Sequence, residues 1–222
     1  MPTAFIAGAS GLTGRHLLDL LLAAPEYDGV VSLGRRKLDV EHPKLTQVVV
    51  DFAALDRELG ELRCDDVFCC LGTTIRQAGS RENFRAVDHA AVLALGWAAR
   101  RRGARRFFLV SSLGADSRSR VFYSRVKGET EEALVVLGFE TLALFRPSLL
   151  LGARARPRFG ERMSAVLLWL AEPLLLGRLR KYRAIEAAAV ARAMLRASFG
   201  QGARGVLTYS SDEIQDIGGF GG

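Results

Sequence analysis

The sequence predicts an α/β fold in which a doubly wound parallel sheet carries helices on both faces and a small lid near its C-terminal end. Short apolar runs alternate with helical patterns, which is typical of strand–helix–strand units. Each run is almost continuously apolar, as a strand covered on both faces requires. A glycine-rich turn follows the first run. Sheets of this kind bind ligands beyond the carboxyl ends of their strands, so the residues after each strand are the candidates for function.

The elements can be assigned in order from apolar runs and helical spacing. The predicted strands are Thr3–Ala7, Val30–Leu33, Thr46–Val50, Asp66–Cys70, Arg106–Val110 and Thr141–Phe145. The predicted helices are Thr13–Ala24, Asn83–Arg102 and Tyr123–Leu137. These elements predict a single domain over residues 1–222, with a lid-like insertion at about 149–185.

The composition is that of an ordinary globular protein. Of its 222 residues, 49% are hydrophobic and 25% are charged, which excludes a disordered chain. Cys64, Cys69 and Cys70 lack the spacing of a disulfide framework, so we expect free thiols in a reducing compartment. The first residues lack the basic leader of a signal peptide, and a glutamate and a proline interrupt the apolar stretch 163–177. We therefore expect a cytoplasmic protein without a membrane span.

The net charge of +7 comes from 31 basic and 24 acidic residues. A basic balance suits either nucleic acid or an anionic small ligand. The arginines are scattered, apart from a cluster at 100–106 that ends a predicted helix, where the helix dipole favours cations. We expect a solvated helix end there and no nucleic-acid partner.

The turn after the first strand has the G-x-x-G-x-x-G spacing of a loop that binds a diphosphate. Glycine permits the tight turn and the close approach of the anion, and the helix that follows offers unpaired N–H groups. A tight turn without a ligand is the alternative, but the position between the first strand and the first helix favours a dinucleotide site. The cofactor-binding candidates are Gly8, Ser10, Gly11, Leu12, Thr13 and Gly14.

Two arginines after the second strand indicate which dinucleotide is bound. NAD sites usually place an acid here, whereas NADP sites place an arginine that pairs with the 2′-phosphate. This chain has Arg35 and Arg36, and the next acid is Asp39. We therefore predict NADP(H) as the cofactor, with Arg35 the stronger candidate; a solvated basic loop is the alternative.

Further candidates follow the third and fourth strands. Asp51 and Phe52 would lie at the adenine edge, although capping of the next helix is an equally open role for Asp51. After the fourth strand, glycine lets the backbone pass close to the cofactor and threonines offer hydroxyls; the candidates are Leu71, Gly72, Thr73 and Thr74. The neighbouring Cys69 and Cys70 suggest a metal or redox feature, but the histidines add no ligand spacing. We expect small core residues and no metal.

A tyrosine and a lysine four residues apart indicate proton-transfer chemistry. Tyr123 and Lys127 fall on one face of a predicted helix. A phenol with a pKa of about 10 is a poor acid or base at neutral pH, and a neighbouring ammonium stabilises its charged form. Lys127 can also hold the nicotinamide ribose. Ser112 at the end of the fifth strand is the favoured partner for a substrate oxygen, with Ser111 as the alternative and as a cofactor contact.

These segments together resemble the short-chain dehydrogenase/reductase superfamily, in particular its atypical branch of proteins similar to the human Tat-interacting oxidoreductase. The resemblance implies a Rossmann fold that binds NADPH and a catalytic site at Ser112, Tyr123 and Lys127. It also implies that Pro147, with its two neighbours, lines the nicotinamide end. The segments that carry it are 8–14, 50–52, 69–74, 111–115, 123–129, 145–147 and 213–218.

The sequence therefore predicts an NADPH-dependent oxidoreductase that moves hydride between the cofactor and a small-molecule carbonyl or alcohol. Two alternatives stay open: an NADPH-binding regulatory or redox-sensing protein with little turnover, and an NAD(P)-dependent epimerase or dehydratase. The very apolar segment 163–176 has three interpretations: a substrate lid, a core helix, or an exposed patch that binds a second copy, a protein partner or a membrane surface.

Overall fold

A sheet of seven parallel strands organises the molecule. The computed structural model describes residues 2–152, 177–200, 202 and 204–219. The strand order is β3-β2-β1-β4-β5-β6-β9, and the direction of winding reverses between β1 and β4, where such sheets bind ligands. The strands are β1 Thr3–Ala7, β2 Gly29–Gly34, β3 Leu45–Val49, β4 Asp66–Cys69, β5 Arg106–Val110, β6 Thr141–Arg146 and β9 Gly205–Ser210, with a separate parallel pair, β7 Leu150–Leu151 and β8 Ile185–Glu186.

Helices cover both faces of this sheet. Alternate residues of β1 point into two hydrophobic layers, Ala4 and Ile6 into one and Phe5 and Ala7 into the other. The first layer contains α1, α7 and α8, and the second contains α2, α5 and α6. The helices are α1 Leu12–Ala23, α2 Leu55–Glu58, α3 Ile75–Ala78, α4 Arg81–Arg85, α5 Ala91–Arg101, α6 Phe122–Val136, α7 Ala187–Phe199 and α8 Ser211–Gly218. The predicted fold class, a doubly wound Rossmann-type sheet, is confirmed.

Each of the six predicted strands is present within one residue at either end. The predicted helix over 83–102 is present as one helical run over residues 81–101, in which a π-helical turn at Ala86–Ala90 joins α4 to α5. Single π turns inside α-helices are rare, and the apolar spacing of the flanking residues predicted only a helix. The last strand, β9, was not predicted, because it lies at the sheet edge and is largely exposed, so its sequence has no continuous apolar run.

Part of the predicted lid, and the whole apolar segment 163–176, lie outside the described residues. The short strands β7 and β8 pair in parallel on either side of that part of the chain. No helix among the described residues combines the length and apolar character that a membrane crossing requires.

Four arginines of the cluster at 100–106 contact carboxylates, while Arg101 and Arg105 stay largely exposed. Arg105 donates two hydrogen bonds to Glu140. Arg106 donates two to Asp66, which is almost fully buried. The absence of a nucleic-acid partner stays a prediction.

Candidate functional site

A cavity of about 1300 Å³ opens beyond the carboxyl ends of β1 to β4. This volume exceeds the roughly 300–1,000 Å³ of sites for drug-sized ligands, so a dinucleotide has room. The predicted cofactor contacts that line it are Gly8, Ser10, Gly11, Arg35, Arg36, Asp51, Phe52, Leu71, Gly72 and Thr73. The predicted residues outside this lining are Leu12, Thr13, Gly14, Thr74, Ser111, Ser112, Tyr123, Lys127 and Pro147.

The glycine loop is a tight connection between β1 and α1. Gly8 has φ of +86°, and a Cβ there would lie 2.5 Å from the carbonyl oxygen of Cys70. A Cβ at Gly14 would lie 2.2 Å from the carbonyl oxygen of Gly8. Both glycines are therefore required by close backbone contacts, which bring the start of α1 against the carboxyl ends of β1 and β4.

The start of α1 is suited to an anion. The helix begins after Gly11, which has no side chain to cap the first turn, and that turn holds no acidic residue. The free N–H groups and the positive end of the helix dipole favour a phosphate there. The hydroxyl of Thr13 is buried and has no hydrogen-bond partner among the described residues. The residues of this loop therefore fit the diphosphate of a dinucleotide.

The loop after β2 brings two cations to the cavity. Arg35 and Arg36 line it and are exposed, whereas Asp39 does not line it. Gln47 on β3 holds the loop from behind, since its side chain accepts a hydrogen bond from the Leu38 N–H (2.7 Å) and donates one to the Leu38 carbonyl (3.2 Å). The position of this basic segment is thus fixed by a neighbouring strand.

Asp51 lines the cavity and also organises its own turn. Its Oδ1 accepts a hydrogen bond from the Ala53 N–H at 3.0 Å, and its own N–H donates to Glu58 at 2.7 Å. Helix α2 begins only at Leu55, so Asp51 closes the turn before the helix and does not cap the helix itself. Oδ2 of Asp51 has no hydrogen-bond partner among the described residues, so it can accept a hydrogen bond from a ligand in the cavity.

The segment after β4 meets a buried ion pair. Nζ of Lys127 lies 2.7 Å from Oδ1 of Asp88, and both side chains are almost fully buried. The backbone N–H of Thr73 donates to Oδ2 of Asp88 at 2.8 Å. A Cβ built on Gly72 would lie 3.5 Å from Asp88 Oδ1 and 3.6 Å from Lys127 Nζ. The lysine is therefore directly below the backbone that lines the cavity. Thr74, by contrast, caps α3, accepting from the Gln77 N–H.

Burial and charge act in opposite directions on the pKa of Lys127. Burial alone lowers the pKa of this ammonium, but Asp88 and Tyr123 outweigh it, and the pKa is raised above its ordinary value. Lys127 is thus a cation at neutral pH. Tyr123 stands one turn earlier on α6, half-buried, with its ring centroid 5.5 Å from that of Phe84.

The two candidate serines have different surroundings. Oγ of Ser111 donates to Glu131 Oε1 at 2.5 Å, and Glu131 also accepts two hydrogen bonds from Arg146. The Ser111 hydroxyl is therefore engaged in a buried network between β5, α6 and β6. Ser112 is only partly buried, and its hydroxyl makes a long 3.3 Å bond to the carbonyl of Leu113. Pro147 follows β6 beside it, where its carbonyl accepts from the Leu113 N–H at 2.9 Å.

The three cysteines are free thiols that lie in β4 or close to its ends in the chain. Cys64 and Cys69 are buried, and Cys70 is half-buried and lines the cavity. Burial raises the pKa of Cys69 to about 12. Within the described residues, no three His, Cys, Asp or Glu side chains form a group that would hold a metal ion.

Several lining residues were not predicted from the sequence. Small residues of the π turn and α5 face the cavity at helical spacing, and that spacing was the available signal. The residues are Ala86, Val87, Ala90, Ala91 and Ala94, together with Ser32, Gln77, Ala78 and Asn83. Asp88 was also missed, although a carboxylate on the apolar face shared by Phe84 and Val92 was visible in the sequence.

Comparison with known proteins finds a matching family and several similar proteins. Residues 8–135 match a family described as NAD(P)H-binding. The protein HTATIP2 of Rattus norvegicus is 44% identical over 161 residues, covering 71% of this chain and 66% of the rat protein, so the chain spans slightly less than two thirds of that relative. The mitochondrial protein fmp52 of Emericella nidulans is 36% identical over 171 residues, 74% of this chain and 73% of that protein. The resemblance inferred from the sequence is confirmed.

Solved structures share the fold. The Bordetella bronchiseptica enzyme WbmH in complex with NAD+ has a TM-score of 0.68 at 20% identity, covering 95% of this chain and 76% of its own. A UDP-glucose 4-epimerase from Thermotoga maritima with UDP-glucose has a TM-score of 0.69 at 17% identity, covering 97% and 82%.

The expectation of a cytoplasmic location is wrong. Curated fungal relatives at 32–36% identity, among them those of Emericella nidulans and Candida albicans, are named as mitochondrial proteins. Free thiols indicate a reducing environment but do not distinguish one reducing compartment from another.

Proposed function

Because this chain belongs to a family of NAD(P)H-binding proteins, we propose that it is an NADP(H)-dependent oxidoreductase acting on a carbonyl or alcohol. One observation carries the proposal. The ammonium of Lys127, one helical turn after Tyr123, is buried below Gly72, and Gly72 lines a cavity that begins at a diphosphate-type glycine loop. The names of the fungal relatives support a mitochondrial setting.

The choice of NADP(H) over NAD(H) rests on charge. Arg35 and Arg36 line the cavity after β2 and would pair with a 2′-phosphate, while Asp39, the next acid in the chain, stays outside the lining. A carboxylate in their place would repel the phosphate and favour the free ribose hydroxyls of NAD(H).

The chemical roles follow from the side chains. When bound, the cofactor supplies or accepts a hydride. In the reducing direction, the Tyr123 hydroxyl donates a proton to the carbonyl oxygen, and the Lys127 ammonium stabilises the phenolate that remains. The Ser112 hydroxyl donates a hydrogen bond to the same oxygen. In the oxidising direction, the Tyr123 phenolate removes the alcohol proton.

Removing one hydroxyl tests the proposal. We expect the unmodified protein to oxidise NADPH with members of a panel of aldehydes and ketones, and Tyr123→Phe to lower kcat at least about 100-fold, the usual contribution of a proton donor. NADPH affinity should stay within about threefold, because the phenol acts on the substrate oxygen. Tyr209→Phe, a half-buried tyrosine stacked on Phe145 outside the cavity, is the matched control.

Two outcomes count against the proposal. Tight NADPH binding with no turnover across the panel would favour the alternative of a regulatory or redox-sensing protein. Turnover that is equal in the unmodified protein and in Tyr123→Phe would remove Tyr123 from the catalytic site.

A further inference from the structure

We propose that Asp88 is a positioning residue of this site, the fixed counter-ion of Lys127 and the anchor that ties the loop after β4 to the catalytic helix. The role of the lysine in turnover rests on the proposed function above. The ion pair and the anchor are properties of the folded chain and can be measured without turnover.

Asp88, in the π turn, reaches two other elements, α6 and the loop after β4, through its two carboxylate oxygens. Oδ1 contacts Nζ of Lys127 on α6 at 2.7 Å, and Oδ2 accepts from the Thr73 N–H in the loop at 2.8 Å. The Thr130 hydroxyl of α6 lies 3.0 Å from the Asp88 carbonyl oxygen, but its single proton has a shorter partner in the Val126 carbonyl oxygen at 2.7 Å. One residue therefore sets the distance between the loop that lines the cavity and the helix that carries the lysine.

The π turn places this carboxylate inside the protein. Asp88 lies within Ala86–Ala90 and is 1% exposed, on a face that it shares with the fully buried Phe84. A buried carboxylate is costly unless it is paired and hydrogen-bonded, and removal of one partner of such a pair is strongly destabilising. Oδ2 accepts a hydrogen bond, whereas Oδ1 has no hydrogen-bond partner among the described residues and depends on its 2.7 Å ion contact with Lys127. The lysine is therefore what offsets the cost of burying that oxygen.

The groups that face Lys127 show what Asp88 contributes. They are Asp88 from the π turn, Tyr123 from the same helix and Cys69 from β4. Burial favours the neutral amine, and Asp88 is the first of the groups that oppose it. Without Asp88, Lys127 would lose its proton at a lower pH.

The lysine can be observed directly, because the chain has only four lysines: Lys37, Lys44, Lys127 and Lys181. Labelling with [13Cε]lysine gives one NMR signal for each, and Lys127→Arg identifies the signal of interest. In cofactor-free protein, we expect the titration midpoint of Lys127 to fall by at least about one pH unit in Asp88→Asn. Glu129→Gln removes a partly exposed carboxylate that lies on the helix of Lys127 and pairs with Arg85 of α4. This variant should leave the titration midpoint of Lys127 unchanged.

A double-mutant cycle distinguishes the loss of the ion pair from a general loss of folding. Asp88→Asn should lower the melting temperature by roughly 6–12 °C, since it leaves a buried ammonium unpaired. Adding Lys127→Met should recover at least half of that loss, because no buried charge then remains. Losses that simply add would overturn the ion pair.

The loop anchor has its own readout. An amide at position 88 can still accept from the Thr73 N–H, whereas alanine cannot. We expect Asp88→Ala to raise the Kd for NADPH about tenfold and Asp88→Asn to change it less than threefold. Equal affinities in the two variants would overturn the anchor, and an unchanged Lys127 midpoint would overturn the counter-ion. Failure of carbonyl turnover in the unmodified protein would instead defeat the proposed function and leave both results intact.

Discussion

Arg35 and Arg36 reach the cavity from a loop whose backbone is held by the side chain of Gln47. A loop whose backbone is already held loses less conformational freedom on binding than a mobile loop. Hydrogen bonds between a guanidinium and a phosphate are also among the stronger ones in proteins. These residues should therefore discriminate between the two nicotinamide cofactors.

Arg35→Ala should raise the Kd for NADPH about 10- to 30-fold and change the Kd for NADH less than about threefold, since only NADPH carries the 2′-phosphate. Titration of both cofactors by calorimetry gives the four constants. Arg57→Ala, which removes an exposed arginine of α2 outside the cavity lining, is the control and should alter neither. Equal losses for the two cofactors would show that Arg35 does not contact the 2′-phosphate.

Strand β4 is the element on which the site depends most, because its carboxyl end delivers the loop of Gly72 and Thr73 to the cavity. The strand is completely buried, and thiols lie at its entry and within it. Burial raises the pKa of Cys64 well above its ordinary value and that of Cys69 to about 12. Both thiols therefore stay protonated in the folded protein when they would ionise in the unfolded chain.

The stability of the protein should fall in alkaline solution for this reason. An unfolded thiol ionises near pH 8.5, so above that pH the unfolded state binds fewer protons than the folded state. The stabilisation is complete below about pH 8.5 and is lost as pH rises towards the folded pKa. Between pH 9 and 10 we expect a loss of about 1 kcal/mol for each buried thiol.

Urea unfolding at pH 8, 9 and 10 measures the slope of the free energy of unfolding against pH. Cys69→Ala should reduce it by about 1 kcal/mol per pH unit, whatever the substitution does to the absolute stability. A slope identical to that of the unmodified protein would show that Cys69 ionises in the folded state.

At the scale of the whole molecule, the sequence was sufficient for the sheet but not for the contacts between its elements. Parallel strands covered on both faces are continuous apolar runs, so β1 to β6 could be read directly. The edge strand β9 is exposed and lacks such a run. The cavity contacts of the glycine loop and of Arg35 were predictable, because the chemistry of each depends on residues close together in the chain.

The parts of the site that were missed depend on residues far apart in the chain. The pairing of Asp88 with Lys127 requires a π turn and the packing of α6 on it, and no local spacing encodes either. Only the folded structure distinguishes the surroundings of the two serines that follow β5. Successive side chains point to opposite sides of a strand, and Ser111 is the one directed to Glu131.

The central claim is that the loop from Gly8 to Gly14 binds the diphosphate of NADPH, and Gly11→Ala tests it. Gly11 has a backbone conformation open to alanine (φ −81°, ψ 175°), it lines the cavity, and its new Cβ would lie 3.1 Å from the Gly8 carbonyl oxygen. The protein should therefore fold with a small shift of the Gly8 carbonyl, and the added methyl group both disturbs this loop and adds bulk where Gly11 lines the cavity. Gly29→Ala, at the opposite end of the sheet, is the control.

Calorimetric titration with NADPH gives the answer. We predict binding to the unmodified protein and to Gly29→Ala with Kd values within about twofold, and binding at least about tenfold weaker to Gly11→Ala, since each 1.4 kcal/mol lost is tenfold in Kd. An unmodified protein that does not bind NADPH, or a Gly11→Ala variant that binds it equally well, would contradict the claim.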